Sequence, residues 1–336
     1  MKLVIQIPCY NEADTLPATL ADLPDSIPGI DTVETLVIDD GSSDGTAEIA
    51  HTHGVTHVVR LKQNSGLAAA FTRGVDASLA AGADIIVSTD ADNQYQGRDI
   101  GKLVEPIIEG LADMVIGARP INDIREFSFI KKRLQRLGSF VVRMLSGTEV
   151  PDATSGFRAY SREAAMKLVV LSGFTYTLET IIQSQYKGLT VVSVPINVNP
   201  QTRASRLFRS IPQYIRRSLD TMLRAYILFR PLKVLGTLGL LLMLPGVALF
   251  ARWLYFYFSI QGTTGHIQSL IFAVVFVLLG FQIMVIGLIA DLIAANRRFL
   301  ENVLYRVKTL ELDRSKDKLL APESRAEAHQ PVARAP

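Results

Sequence analysis

At 336 residues the chain is long enough for two domains, and a hydrophobic content of 49% with mean hydropathy +0.25 excludes disorder and collagen-like repetition. The formal net charge of +3 conceals an asymmetry, because residues 1–200 carry 17 Lys+Arg against 24 Asp+Glu and the remainder carries 18 against 8. An acidic front half argues against a nucleic-acid groove there, and a basic, apolar rear half suits an anionic membrane surface; the single cysteine, Cys9, excludes intramolecular disulfides and thiolate zinc clusters and fits a reducing cytosol.

From Lys2 to Val198 short β-branched runs alternate with helical patterns. Strands are expected at Leu3–Ile7, Thr35–Ile38, His57–Leu61, Asp84–Ser88, Asp113–Ile116 and Thr190–Val194, with helices clearest at Gly66–Ala81, Asp99–Gly110 and Phe127–Leu145. Such alternation predicts βαβ units, hence an α/β domain whose mostly parallel sheet is covered on both faces. In open sheets of this kind ligands sit beyond the carboxyl ends of the strands. Met1 leads straight into a strand-like segment without an n-region or cleavage site, so no signal peptide is expected.

Further along, Phe208, Ile211, Ile215, Leu219, Met222 and Tyr226 recur at steps of three and four, with Arg209, Arg216, Arg217, Asp220 and Arg224 off that stripe. This predicts an amphipathic interfacial helix that Ser210 could cap. Leu232–Ala251 and Leu270–Ala290 are apolar runs interrupted by Lys233 and Gln282, each long enough to span about 30 Å of hydrocarbon. The Ser259–Ser269 loop between them has no Lys or Arg, whereas basic residues crowd both outer flanks. The positive-inside bias therefore predicts a two-span protein of the cell (inner) membrane, with the front domain and both termini in the cytoplasm. Beyond Leu310 the chain is charged and then Ala/Pro-rich from Ala321 to Pro336, which reads as a disordered tail. The expected organisation is a catalytic domain over 1–206, an amphipathic segment over 207–231, a two-helix membrane hairpin over 232–295 and a cytoplasmic basic segment and tail over 296–336.

Two strand ends are acidic. Leu36-Val37-Ile38 runs into Asp39-Asp40-Gly41-Ser42-Ser43-Asp44-Gly45-Thr46, and Ile85-Ile86-Val87-Ser88-Thr89 runs into Asp90-Ala91-Asp92-Asn93-Gln94. Either turn alone is commonly a helix cap or Asx-turn, which is the reading for Asp44. Asp90 and Asp92, one residue apart in a loop, can point carboxylates at one hard cation that keeps open positions for phosphate oxygens. The loop lacks the spacing, glycine and distal Glu of an EF-hand, so Mg2+ or Mn2+ bridging a diphosphate is the hypothesis. His51, His53 and His57 have no fixed ligand spacing.

Ile7-Pro8-Cys9-Tyr10-Asn11-Glu12, the Val37–Thr46 stretch, Asn64-Ser65-Gly66-Leu67 and Asp90–Gln94 resemble, in order and spacing, the inverting family 2 glycosyltransferases of GT-A (Rossmann-like) fold. Ile116-Gly117-Ala118-Arg119 and Asp152-Ala153-Thr154-Ser155-Gly156-Phe157-Arg158, followed by two spans, look like the polyprenyl-phosphate glycosyltransferases of the dolichol-phosphate mannose synthase type. The resemblance implies transfer of a sugar from a UDP- or GDP-linked donor to undecaprenyl or dolichyl phosphate. It implies that Asp92 is the direct metal ligand, that Asp90 and Gln94 help hold metal or diphosphate, and that Arg119 and Arg203, with Arg206, bind diphosphate or acceptor phosphate. Pro8, Tyr10, Glu12, Asp39 and Asp40 resemble the nucleoside pocket, where a carboxylate accepts hydrogen bonds from base or ribose. Glu12 could equally cap the following helix, Arg158 and Asp152 could bind acceptor or form structural ion pairs, and Glu179 could bond a donor sugar or a helix neighbour.

Relatives place an Arg and a Ser of the Phe127–Leu145 helix toward the acceptor phosphate, and Lys131, Arg133, Arg136 and Ser139 offer more than one alignment. Where relatives often show Arg followed by Gly-x-Ser-Lys, this chain reads Arg203-Ala204-Ser205-Arg206. Cys9 stands where the family often has Ala or Val, and a small buried residue is expected there. A phosphate acceptor is largely ionised at neutral pH, its second pKa being about 6, so no strong general base is required. A membrane polysaccharide synthase with a saccharide acceptor is the alternative, but it usually carries Gln-x-x-Arg-Trp, and the one Arg-Trp pair here is Arg252-Trp253 at the end of a span. A non-catalytic scaffold is disfavoured by the intact Asp90/Asp92 pair and Arg119. Expected partners are thus nucleotide-sugar, polyprenyl phosphate and membrane lipids, without nucleic acid, and the small spans are compatible with a homo-oligomer.

Overall fold

The computed structural model describes residues 1–120, 138–144, 146–170, 175–200, 226–259 and 267–320, with 216, 220, 223 and 224 besides. The chain divides into two units, Met1–Phe208 with Val303–Pro336, and Arg209–Asn302. In the first unit the strands are β1 (Lys2–Cys9), β2 (Thr32–Asp39), β3 (His57–Arg60), β4 (Ile85–Ser88), β5 (Met114–Ala118), β6 (Arg158–Ser161) and β7 (Val191–Pro195). They form one sheet in the order β3-β2-β1-β4-β6-β5-β7. The covering helices are α1 (Leu16–Ala21), α2 (Thr46–Thr52), α3 (Leu67–Ala80), α4 (Ile100–Ile108), α5 (Arg162–Lys167) and α6 (Thr177–Tyr186).

β1 shows no polar alternation because it is central, and Leu3, Val4, Ile5 and Ile7 are wholly buried. It pairs in parallel with β2 from Lys2–Thr32 to Cys9–Asp39 and with β4 from Leu3–Ile85 to Gln6–Ser88. Below α4 the core gathers Leu3, Ile5, Val87, Leu103, Val115 and Phe157. Each expected strand is present, with ends shifted by up to three residues. The sheet adds β6, four residues running antiparallel between β4 and β5, which no apolar run announces because it opens on Arg158. Of the expected Phe127–Leu145 helix, 138–144 are helical and 127–137 lie outside the described residues.

Two glycines set how closely elements pack. A Cβ on Gly74 of α3 would stand 2.3 Å from Gln6 Oε1 and 2.7 Å from Ile38 Cδ1, so the helix lies directly on the strands. A Cβ on Gly97 would stand 1.9 Å from the Asp22 carbonyl oxygen, which no side-chain movement can relieve.

The second unit is built on α7 (Pro231–Ser259) and the beginning of α8 (Ile267–Leu320), two helices long and apolar enough to cross a membrane. Their large apolar side chains, among them Leu241, Phe258, Leu279 and Phe281, are exposed. Between them runs a seam of small residues: a Cβ on Gly239 would meet Gly280 O at 2.6 Å, and one on Gly246 would meet Ala273 O at 3.0 Å. Tyr226–Phe229 of the expected amphipathic segment are helical, and most of 207–225 lies outside the described residues. α8 continues to Leu320, past the Leu310 boundary at which the ordered chain was expected to end. Its Lys, Arg, Glu and Leu residues are strong helix formers, Arg297 and Glu301 pair one turn apart at 3.1 Å, and Lys308 Nζ reaches Asp76 of α3 at 2.9 Å. Ala321–Pro336 lie outside the described residues.

Replacing Gly97 by Ala is expected to lower stability by about 3 kcal/mol, since the clash is with backbone. Gly101→Ala in α4, where nothing lies within 4 Å, should instead raise it by about 0.5 kcal/mol. Thermal unfolding of the two purified variants beside the parent protein checks both signs.

Candidate active site at the carboxyl edge of the sheet

At the carboxyl end of β2 the two neighbouring aspartates have different fates. Asp40 is spent on the chain before α3: its Oδ1 accepts the Ser65 N–H and its Oδ2 the Gly66 N–H, both at 2.8 Å. Asp39 is wholly buried; its Oδ1 accepts the Ser42 N–H at 2.8 Å, while its Oδ2 accepts no hydrogen bond and lies 3.4 Å from Arg60 Nε. Gly41 turns the chain between these loops with φ +73°, and a Cβ there would stand 2.7 Å from the Gln63 backbone. Asp44 behaves as the expected cap, accepting the N–H groups of Thr46 at 3.1 Å and Ala13 at 3.0 Å. Burial alone would raise its pKa, but those donors and the Thr46 hydroxyl hold it below the usual carboxylate range.

The loop after β1 is stitched to this one. Asn11, at φ 54°, donates its N–H to Ser42 Oγ at 2.9 Å and accepts the Ser43 N–H on Oδ1 at 2.9 Å. Glu12 is buried and accepts the Thr15 hydroxyl at 2.8 Å, and its carbonyl accepts the Leu16 N–H; the helix that follows has Thr15 at its N-cap and no side-chain cap bond. Pro8 is half-buried in β1 opposite Ile38, and Tyr10 is exposed. Cys9 is buried, and burial pushes its thiol pKa well above the usual range.

After β4, Asp90, Asp92 and Gln94 are each half-buried, and Asp92 Oδ1 accepts the Gln94 N–H at 3.2 Å. Asn93 between them has φ 54°, and its Oδ1 is buried with no hydrogen bond. Gly156 passes close by: a Cβ on it would stand 3.0 Å from Asp90 Oδ1 and 3.3 Å from the Tyr176 hydroxyl. Its N–H donates to the Tyr95 hydroxyl at 3.1 Å, and its carbonyl accepts from Tyr176 at 3.2 Å. Burial pushes the Tyr95 pKa up to about 12, so the phenol stays protonated.

Arg119 follows β5 and grips the loop that enters β6. Its Nε and Nη2 donate to Asp152 Oδ2 and Oδ1 at 2.7 and 3.1 Å, and Nη2 also donates to Thr154 Oγ1 at 2.9 Å. Burial opposes ionisation of both partners, yet each holds the other charged: the Asp152 pKa is lowered and that of Arg119 raised. Ser139 is buried and its Oγ accepts the Ala153 N–H at 3.2 Å. Arg158 is 0% exposed, and four of its five N–H groups go to Ser155 O, Thr177 O, Thr180 Oγ1 and Ala153 O at 2.8 to 2.9 Å. Glu179 is also buried and accepts from Gln183 Nε2 at 3.2 Å. Arg203 and Arg206 lie outside the described residues.

Among the described residues no three His, Cys, Asp or Glu side chains are placed to hold a metal ion by themselves. His57 pairs with Glu34 at 2.8 Å, and His53 bonds the Ile49 carbonyl. The donor set of the Asp90–Gln94 loop, two carboxylates with an unpaired amide oxygen on Asn93, is hard oxygen chemistry. It fits a small divalent cation that shares its coordination sphere with phosphate, not one caged by protein alone. Asn93 and Gly156 stand inside the motifs without a role of their own, and Tyr95 lies just outside them; the positive φ of Asn93 and the close approach at Gly156 are backbone facts without a side-chain pattern.

Residues 4–169 match the model of Glycosyl transferase family 2. The chain is 32% identical over 206 residues to an undecaprenyl-phosphate mannosyltransferase of Micrococcus luteus, covering 58% of this chain and 83% of that one. It is 28% identical over 322 residues to glycosyltransferase AglJ of Haloferax volcanii, covering 91% and 97%. The glucosyl-3-phosphoglycerate synthase of Mycobacterium tuberculosis, solved with Mn2+, UDP-glucose and phosphoglyceric acid, shares the fold at 22% identity with a TM-score of 0.51, over 67% of this chain and 79% of that one. With its GT-A sheet and the 83% coverage of a relative at 32% identity, the chain belongs to glycosyl transferase family 2 and is a glycosyltransferase.

Proposed function

We propose that the enzyme transfers a sugar from a nucleotide-sugar donor to polyprenyl phosphate at the cytoplasmic face of a membrane, inverting the anomeric carbon. One observation carries this reading: the acidic Asp90–Gln94 loop, the buried Asp39 and the Arg119–Asp152 pair share one sheet edge in a chain that also has two membrane-length helices. The acceptor is supported by the relative named as an undecaprenyl-phosphate mannosyltransferase, and a divalent cation by the fold neighbour solved with Mn2+.

In this reading Asp39 Oδ2, an acceptor without a hydrogen bond, takes an N–H of the base, beside Pro8, Tyr10 and Glu12. Asp40 contributes by fixing the 64–66 loop that borders the pocket. Asp92, with Asp90 and Gln94, holds Mg2+ or Mn2+. When bound, the ion supplies positive charge to the diphosphate oxygens as the leaving group departs. Arg119 is engaged through Nε and Nη2, which leaves the Nη1 protons for phosphate, and Arg203 and Arg206 add charge from the segment after β7. An ionised phosphate oxygen attacks the anomeric carbon as the bond to the diphosphate breaks; the phosphate carries no proton that a base must remove. Arg158 and Ser139, 0% and 1% exposed, are read as braces of the 152–158 loop, not acceptor ligands. The spans would anchor the enzyme in the membrane that holds a lipid acceptor, and the basic flanks support a cytoplasmic orientation.

Purified protein incubated with undecaprenyl or dolichyl phosphate, Mn2+ or Mg2+ and a panel of GDP- and UDP-sugars should yield a metal-dependent lipid-phosphate sugar by mass spectrometry. A product built only on a saccharide acceptor would overturn the reading. Asp92→Ala should cut turnover at least about 100-fold while membrane insertion persists; a wild-type rate would remove Asp92 from the metal site. Because the Asp152 carboxyl is held below its unfolded pKa, its stabilisation is complete above about pH 4 and is lost as pH falls through the folded value. Asp152→Asn should therefore lower the melting temperature at pH 7 and flatten its fall toward acid.

A further inference from the structure

Two segments leave the carboxyl edge side by side. One follows β4 and carries Asp92 and Gln94; the other continues β7 toward Arg203. They are laced together at four points. Tyr95 and Val198 form a backbone bridge, and the Asn199 N–H donates to the Gln94 carbonyl at 2.9 Å. Asn199 Nδ2 donates to the Asn93 carbonyl at 3.0 Å, and the Asn197 N–H donates to Asp99 Oδ2 at 2.6 Å. Asn93 is held in the left-handed region at φ 54°, a conformation that persists where surroundings fix it. Among the described residues, the Asn199 amide is the side-chain donor to that carbonyl. Asn199 is half-buried, so its amide can be removed without opening a cavity in the core.

We propose that Asn199 is a positioning residue. Its amide ties the Asn93 carbonyl to the exit of β7, so that the loop bearing Asp92 and Gln94 is held in one position for the diphosphate. Asn199 itself touches no substrate. The inference rests on the metal and diphosphate role proposed above for Asp92.

The test titrates Mn2+ into the full-length protein with UDP or GDP, followed by electron paramagnetic resonance, alongside kcat and melting temperature. Asn199→Ala should weaken Mn2+ binding in the presence of nucleotide about 10-fold and lower kcat similarly, with the melting temperature within about 2 °C of the parent. Asn199→Asp, which keeps the shape but lacks the donor, should match it. Asn197→Ala, whose side chain bonds Asp99, should leave Mn2+ binding unchanged. Parent-like Mn2+ binding in Asn199→Ala, or equal weakening in Asn197→Ala, overturns the inference alone. If the parent protein binds no Mn2+ with either nucleotide, the proposed function falls, and this inference with it.

Discussion

Because β1 is in parallel register with β2 on one side and β4 on the other, the loops that follow all three strands emerge from one edge of the sheet. β5 and β7 run the same way, and the antiparallel β6 brings the amino end of its own strand, with the 152–157 loop, to that same edge. The direction reversal in strand order at β1 is the crevice in which open α/β sheets bind ligands. The arrangement has an electrostatic cost. It gathers Asp39, Asp40, Asp44, Asp90, Asp92 and Asp152 into a single region before any ligand arrives.

The fold offsets that cost by giving individual carboxylates their own donors. Asp40 and Asp44 receive backbone N–H groups, Asp152 receives a forked guanidinium, and Asp92 accepts the Gln94 N–H. Hydrogen bonds to an ionised acceptor are stronger than neutral ones, so these contacts both relieve repulsion and freeze the loops. Among the described residues, two acceptor atoms at this edge are buried without a hydrogen bond, Asp39 Oδ2 and Asn93 Oδ1. A buried acceptor left unmade costs about 1–3 kcal/mol, and that cost is recovered when a donor or a cation reaches it. Rigidity and residual hunger for a ligand thus come from the same set of side chains.

The sheet was legible because apolar β-branched runs such as Leu3–Ile7 and Ile85–Val87 have no other reading between turn residues. β6 was hidden because its buried first residue is Arg158, whose charge hides a position satisfied by carbonyls of the loop just before it and of Thr177 at the start of α6. The acidic strand ends were visible as sequence, but their division of labour was not. Asp39 and Asp40 are adjacent, and what separates them is that the 63–66 loop crosses over Gly41 and takes both oxygens of one and neither of the other. The continuation of α8 past Leu310 is hidden for a different reason: a charged stretch reads as disorder, yet its Lys, Arg, Glu and Leu residues are strong helix formers.

The glycine seam of the α7 and α8 hairpin bears on how the pair sits in lipid. Gly239 and Gly246 on one helix, and Ala273, Gly280 and Gly287 on the other, are spaced by seven residues, so the two backbones approach closely in one register. A slip of one or two residues would drive side chains such as Leu240 or Leu279 into a facing backbone. The next matching register lies seven residues away, about 10.5 Å at 1.5 Å per residue, or a third of the hydrocarbon thickness. Placed in a bilayer, the hairpin would have a ratchet with a single usable tooth: it could tilt to suit a thicker or thinner membrane, but it could not telescope.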